Sequence, residues 1–536
     1  MSKDISDFQK MLDVNIPIIF IHNHDFVRVD EMISNALGKN VAIQEWNPAV
    51  GTVNFKSKEP IIRQSLDDFL REMYAPDSTY AKDRIVVLKE IQDLIDEPQV
   101  KSLLMMIAQR RLYDHGYQNE DETVPPYSTT VVIVSSVDHI PEELIPYVSY
   151  LEQTYPDETE INQLIDAHIK VNKYQGFDEK YRKPLLQSLK GLTSFEIDRT
   201  LDMAMSENGN LTAEDTKMIL AQKKQMVKKS GLLEFIETPE TKDSIGGLGY
   251  LKSYLEGKSQ VMKEMMRAKE YAVRVPKGIF IVGMPGCGKS LCAKATAALF
   301  NAPLLKMDMG SMMGKYVGES EGRLRSAIKL AEAAAPCILW IDEIEKAFNG
   351  VGSDSSEVIT RMFGYFLSWL QEKTSNVYVV ATANNAENLP PELKRKGRFD
   401  EIFCVNLPNE KEREAIFKVH LNKKQKKANS KVEIPDEKDF KKDFNKLNKC
   451  TEGFNGADIE SVVDETLETL FVKHLNDKKK DAIIKITIED LRKQAEKTIS
   501  ISASCQSQID KMRDVFEHSS FIDATTGEQT LKKGKK

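Results

Sequence analysis

Short runs of apolar, mostly β-branched residues recur along the chain, each ending in small or polar residues. They are IPIIFI (16–21), IVVLKEI (85–91) and VVIVSS (131–136), then GIFIV (278–282), CILWI (337–341) and VYVVATANN (377–385). Runs of this length without strict alternation predict strands buried on both faces, as in parallel sheets. The segment LCAKATAALF (291–300) has helical period instead. The later three runs repeat the earlier three in order. After the third of each set come an acidic residue, an apolar residue, Pro and Glu-Leu, in VDHIPEEL (137–144) and AENLPPEL (386–393). Further on, GLTSFEIDRTLDMAM (191–205) parallels GFNGADIESVVDETL (453–467), and LTAED (211–215) parallels ITIED (486–490).

Order-preserving matches of this kind are what a duplicated α/β unit with a helical lid leaves behind. Likeness of composition between any two parallel α/β segments is the alternative at this level. The fold class read here is α/β, in two units. The expected division is 1–160 as a first α/β domain, 161–235 as its lid-like helical subdomain and 236–247 as a linker. A second α/β domain follows at 248–408, its helical lid at 409–500, and an extension at 501–536. The end of that extension, SSFIDATTGEQTLKKGKK (519–536), lacks apolar period and is expected to be disordered.

Length and charge narrow the class. A chain of 536 residues with 41% hydrophobic and 29% charged residues predicts three or four packed units of a globular protein. No apolar run approaches the eighteen or so residues of a membrane span. The start, MSKDISDFQK, lacks the pattern of a secretory signal, so a cytosol-like compartment is expected. A net charge of −7 gives no footprint for nucleic acid, and the basic runs at 423–427 and 532–536 read as solvated surface. Six cysteines without CxxC spacing fit reduced thiols, and no histidine opens an H-E-x-x-H zinc site. His22 and His24, at strand alternation, are set aside as metal ligands.

The chemistry concentrates in GMPGCGKS (283–290), placed between a predicted strand and a predicted helix. Gly283, Gly286 and Gly288 let the backbone curl so that successive N–H groups face one anion. The helix beginning near Lys289 adds its positive dipole end. Lys289 would reach the β- and γ-phosphates, and Ser290 would ligate Mg²⁺. Asp342 and Glu343 close the apolar strand CILWI, where one carboxylate can hold the Mg²⁺ water shell and the next can act as base. Asn384 ends a further strand and can orient the attacking water. Arg395 and Arg398 supply cationic groups of the arginine-finger type, often given by a neighbouring subunit. Cys287, inside the loop, reads as a small space-filling residue.

With these residues in hand, 245–500 resembles an AAA-family ATPase module, a P-loop NTPase (AAA+) core with a helical lid. The elements that carry the resemblance are Ile245-Gly246-Gly247, GMPGCGKS, GKYVGESE (314–321), ILWIDEIEKAF (338–348), ATANN, GRFD (397–400) and GFNGADIE (453–460). It implies ATP and Mg²⁺ as cofactors, with nucleotide bound by Gly283, Met284, Pro285, Gly286, Cys287, Gly288, Lys289, Ser290 and Leu291, and by Ile245 and Gly246. It further implies Asp342 and Ser290 at the metal, Glu343 as base, Asn384 as first sensor, and Arg395 and Arg398 as fingers. Ala457 falls where some AAA+ clades carry a sensor arginine. Tyr316 and Val317 fall where AAA rings line a central channel that grips polypeptide. Over nearly its full length the chain resembles one branch, typed by an open reading frame of algal plastid genomes, which implies a cytoplasmic or stromal ATPase.

The first unit reads as a degenerate AAA-like repeat. HNHDFVRV stands where the phosphate loop would be, Lys89 at the Asp342 position, Glu90 at the Glu343 position, and a serine near the Asn384 position. Two functions are therefore carried forward. One is a homo-oligomeric ring, most often a hexamer in this family, that remodels an unidentified protein partner. The other is a nucleotide-dependent regulator or scaffold that recruits partners through the first repeat without threading them. No membrane role is expected, and work on nucleic acid is disfavoured by the acidic balance.

Overall fold

The computed structural model describes all residues except 1–2, 24, 38–40, 75–83, 117–126, 138, 152–154, 172–176, 209–217, 220, 222–223, 226, 229–230, 238–243, 310–318, 348–356, 386–389, 396, 427–429, 477–482 and 531–536. The chain divides into two compact units, Met1–Lys223 and Lys224–Lys536. The strands of the first are β1 (Ile18–His22), β2 (Ala42–Asn47), β3 (Gly51–Val53), β4 (Pro60–Ile62), β5 (Arg84–Lys89), β6 (Thr129–Ser135) and β7 (Val148–Tyr150). They form one sheet in the order β4-β3-β2-β5-β6-β1-β7. Side chains alternate between its faces. Ile18, Phe20, Val86, Leu88, Val131 and Ile133 pack with Phe69, Leu70, Leu104 and Ile107 on one side. On the other, Ile19, Ile21, Ile85, Val87, Val132 and Val134 pack with Phe8, Val29 and Ile33.

In the second unit β8 (Glu234–Ile236) is followed by β9 (Gly278–Gly283), β10 (Leu304–Met307), β11 (Cys337–Ile341), β12 (Val377–Ala383) and β13 (Glu401–Val405). The lid adds β14 (Val432–Glu433) paired with β15 (Ile484–Lys485), and β16 (Ile522–Asp523) returns to the main sheet. That sheet runs β16-β13-β9-β12-β11-β10-β8. One face, with Ile279, Ile281, Ile338, Val380 and Phe403, is covered by the helices Gly249–Lys263 and Lys289–Phe300 through Leu251, Leu255, Cys292 and Ala293. The lid has its own core, in which Phe417, Phe440, Phe444, Leu447, Ile459 and Val463 meet.

The two sheets share a parallel spine, β2-β5-β6-β1-β7 in one and β10-β11-β12-β9-β13 in the other. Register agrees pair for pair. Ile18–Val131 through His22–Ser135 in the first unit corresponds to Gly278–Val379 through Val282–Ala383 in the second. This correspondence puts Lys89 on Asp342, Glu90 on Glu343 and Ser136 on Asn384. Composition alone would not reproduce register, and the duplicated reading accounts for it.

Two expectations need correction. Residues 234–236 form an edge strand antiparallel to β10, so a boundary after 235 would cut through an element of the second sheet. The segment 519–530, expected to be disordered, is ordered. Phe521 and Ala524 are buried and β16 pairs with β13, because two buried apolar residues suffice for a short edge strand that borrows its hydrogen bonds from an existing sheet. The end at 531–536, the match at 211–215, and Tyr316 and Val317 lie outside the described residues.

Candidate functional site

The loop after β9 turns through left-handed backbone at Gly286 (φ +76°) and Gly288 (φ +85°), conformations that a Cβ penalises. At Gly286 a Cβ would also lie 2.4 Å from the Asn455 side-chain nitrogen, so glycine is what lets the lid approach the loop. Asn455 donates to the Pro285 carbonyl at 3.0 Å, and the Ala457 N–H to the Gly286 carbonyl at 3.2 Å. Lys289, in the first turn of the helix, is buried and donates to the carbonyls of Gly283 (2.9 Å) and Met284 (2.7 Å). Burial holds its pKa below the usual lysine range. Burial also pushes the Cys287 thiol up to about 11, so it is a neutral thiol rather than a redox handle.

Beyond the end of β11, Asp342 accepts a hydrogen bond from Thr382 Oγ1 at 2.6 Å, and its second oxygen lies 3.9 Å from Lys306 Nζ. Glu343 sits at φ +49°, aiming its carboxylate away from the strand line. Its Oε1 accepts from Asn384 Nδ2 at 2.7 Å, and Lys346 pairs with its Oε2 at 2.6 Å. Asn384 is fixed through its backbone N–H by Glu345 Oε1 at 2.9 Å. Glu345 is buried, which raises its pKa. Neither Thr382 nor Glu345 was singled out from the sequence; the signal available was a further acid two residues past Glu343, in the short helix Ile344–Ala347.

These elements converge on a cavity of about 440 Å³. Its walls include Pro285, Gly286, Cys287, Gly288, Lys289, Ser290, Leu291, Asp342, Glu343, Asn384, Ile245 and Gly246, which were expected there from sequence. Gly283 and Met284 contribute their carbonyls to Lys289 and are not on the walls. Arg395 is exposed and Arg398 donates to the Glu392 carbonyl; neither lines the cavity. The lid adds residues that sequence reasoning missed, among them Glu412, Ile416, Val419 and His420. Ile245, Leu248, Ile416 and Val419 make that end apolar, the surface a planar heterocycle needs, while the loop end is polar and cationic. Burial lowers the His420 pKa, which favours neutral imidazole beside the apolar end.

A family model for the "ATPase family associated with various cellular activities (AAA)" matches residues 279–407. The chain is 33% identical over 519 residues to the "Uncharacterized AAA domain-containing protein ycf46" of Guillardia theta, covering 95% of this chain and 94% of that protein. The chain belongs to the AAA family of ATPases. Its N-terminal half matches models of the SpoVK-like AAA ATPase, with the N-terminal domain at 4–153 and the second domain at 159–230. The ycf46 protein of Pyropia yezoensis is 31% identical over 470 residues, 87% of this chain and 89% of that one. The Proteasome-activating nucleotidase of Saccharolobus solfataricus is 32% identical over 273 residues, 49% of this chain and 65% of that protein. This AAA protein hydrolyses ATP. Among its described residues no helix is long and apolar enough to cross a membrane.

In the first unit of this AAA ATPase the same framework carries different groups. The helix Phe26–Ala36 follows β1 closely, and its N-terminus is capped by Asp25, which accepts from the Arg28 N–H at 3.2 Å. The same carboxylate lies 3.4 Å from the Phe195 N–H, at the start of the lid helix that corresponds to Gly456–Asn476. A carboxylate of the chain thus stands at a helix N-terminus where an anionic phosphate would be welcome. Lys89 pairs with Asp30 at 2.8 Å and with Glu45 at 3.1 Å. Glu90, at φ +54°, accepts from the Ser136 N–H at 2.6 Å and from its hydroxyl at 2.8 Å; the second bond parallels the one Glu343 accepts from the Asn384 side chain.

Proposed function

We propose that this ATPase works as a homo-oligomeric ring, most simply a hexamer, that remodels a protein partner. The observation that carries the reading is the placement of Arg395 and Arg398. The loop, both carboxylates and Asn384 gather on one cavity, while these arginines stay off it. Finger-type arginines held off their own cavity are suited to reach the phosphates of a neighbouring copy. Similarity to a protein named as an activator of the proteasome supports a polypeptide as the object of the work.

The roles follow from the geometry. ATP enters with its base at the apolar end and its phosphates in the loop, where Lys289 exchanges the Gly283 and Met284 carbonyls for phosphate oxygen. Mg²⁺ fits hard oxygen donors of this kind. Ser290 and Asp342 would hold it together with the substrate's phosphates. When bound, that ion neutralises charge on the β- and γ-phosphate oxygens. Asn384, hydrogen-bonded to Glu343, orients the Glu343 carboxylate toward the attacking water, and Glu343 takes that water's proton as its oxygen bonds to the γ-phosphorus. The bond from that phosphorus to the bridging oxygen breaks, and ADP leaves with the electron pair.

Two measurements test this. The ATPase rate per subunit should rise steeply with protein concentration, and mixing Arg398→Ala with Lys289→Ala chains should restore activity at mixed interfaces. A concentration-independent rate with no rescue on mixing would refute the ring. Tyr316→Ala should keep basal turnover and lose action on a captured partner. Unchanged action would favour a regulator that does not thread.

A further inference from the structure

The apolar end of the nucleotide cavity depends on how residues 245–248 are held. Leu248 precedes the helix Gly249–Lys263 in left-handed backbone (φ +53°), and its side chain gives that helix no cap. The first N–H groups of a helix need acceptors from elsewhere. Here the Leu248 N–H goes to Glu412 Oε1 at 3.0 Å. The Tyr250 and Leu251 N–H groups go to the carbonyls of Thr525 (3.3 Å) and Ala524 (2.9 Å). The helix that follows Ile245 and Gly246 is therefore capped by Glu412, 164 positions away, and by Ala524 and Thr525, further along the chain still.

Glu412 is the meeting point. It is 8% exposed, closes a capping box with Asn409 at the start of the lid helix Glu410–Gln425, and lines the nucleotide cavity. Its Oε1 receives both the Leu248 N–H and the Thr525 hydroxyl, the latter at 2.6 Å. The fit leaves no slack. A Cβ on Gly247 would meet Glu412 at 2.7 Å, and one on Gly246 would meet the Ile416 backbone at 2.7 Å. The segment carrying Thr525 is itself built to stay put. Asp523 accepts from the Thr525 and Thr526 N–H groups, and Ala524 is buried with its N–H on the Cys404 carbonyl at 3.0 Å. Gly527 (φ +78°) lets the turn lie on the Tyr250 ring, where a Cβ would come within 2.4 Å.

We infer that residues 522–527 form a strap that sets nucleotide affinity, with Thr525 a positioning residue that acts through Glu412. The inference rests on the nucleotide site proposed above. Thr525 bonds Glu412 and touches neither the phosphate loop nor Asp342 and Glu343, so it fixes the walls at the base end and takes no part in the chemistry. Loosening it costs binding rather than turnover.

The test compares full-length wild type, Thr525→Val, Thr525→Ser, Gly527→Ala and Lys289→Ala by ATPase kinetics and by equilibrium binding of a fluorescent ATP analogue. Thr525→Val removes one hydrogen bond to a charged acceptor, and KM and Kd should rise about three- to tenfold, with kcat within twofold of wild type. Thr525→Ser should restore wild-type values. Gly527→Ala, which displaces the strap without touching Glu412, should raise KM in the same direction. Unchanged KM in both Thr525→Val and Gly527→Ala overturns the inference, as does a loss of kcat at constant KM. Should Thr525→Val fail to fold, Gly527→Ala decides alone. The Lys289→Ala chain separates the two levels. If it binds nucleotide like wild type, the site assignment itself is wrong; if it does not bind and the strap variants behave as wild type, only the strap falls.

Discussion

Replacing Glu343 by Gln removes a base and disturbs little else. The amide oxygen of Gln can still accept from Asn384 Nδ2, now at 2.7 Å, and the side chain keeps its length. The left-handed backbone at this position treats Glu and Gln alike, since neither is β-branched. The ion pair with Lys346 is lost, but its side chains are 38% and 69% exposed. An exposed pair contributes about 0–1 kcal/mol, so the melting temperature should move by no more than about 2–4 °C. Against that small structural cost stands the chemical one. A positioned general base contributes about 10²–10⁴-fold, or roughly 3–5.5 kcal/mol of barrier. The expected variant binds ATP with an affinity within a few-fold of wild type and releases phosphate about 10²–10⁴ times more slowly. Phosphate release at saturating ATP, paired with equilibrium binding, measures both. Turnover within threefold of wild type would remove the base assignment, and a matching loss of affinity would make Glu343 a binding group instead.

Three further outcomes are expected. A full-length Lys289→Ala chain should bind no Mg-ATP in calorimetric titration, because the first unit has Asp25 and Lys89 where phosphate and metal carboxylate belong; one residual site per chain would contradict that. Lys373 is buried against the carbonyls of Pro276 and Val377, and burial pulls its pKa from 10.5 to about 8. The unfolded chain then holds more protons between those values, so this residue's contribution to stability rises with pH from about 8 to about 10.5. The melting temperature of wild type relative to Lys373→Met should climb between pH 7.5 and 9.5, and a flat difference would be inconsistent with the burial argument. In the first unit, Lys89→Asp would add a carboxylate beside Asp30 and Glu45, at a cost of about 3 kcal/mol or more. Its first unit should melt or be proteolysed well before that of wild type, and an unchanged melting profile would refute the pairing.

What the sequence disclosed and what it withheld divide along a physical line. The loop, the two strand-end acids and Asn384 were legible because each is a local event: a glycine turn, or a polar residue closing an apolar run. So was the duplicated framework, since buried parallel strands leave uninterrupted apolar runs. Glu412, Ile416, Val419 and His420 were not legible, because their role comes from a lid helix folding over a loop more than a hundred residues earlier. Thr525 escaped for a related reason. Its segment has too few apolar residues to announce a strand, and much of its order comes from distant partners: the edge of β13, Glu412 and the helix N-terminus it caps.

The first unit serves as an internal control on how the active one should be interpreted. A left-handed non-glycine residue at an active site invites the view that strain is stored there for catalysis. Glu90 has nearly the same φ as Glu343, +54° against +49°, and its carboxylate likewise binds the residue that ends the neighbouring strand. It does so beside a helix N-terminus capped by Asp25 instead of a phosphate loop. The conformation therefore belongs to the strand-to-helix turn of this architecture, and catalysis inherits it. Charge is what distinguishes the copies. Sheet register places Glu45 on Lys306 and Lys89 on Asp342, so the same two positions form an ion pair of opposite polarity. In one copy the strand end presents an acid to the phosphate side; in the other it presents a cation paired with Asp30 and Glu45, carboxylates that Lys58 shares. The two copies share the backbone and the pairwise attraction but differ in the sign facing the ligand side, which is the basis for expecting no metal-bound nucleotide in the first unit.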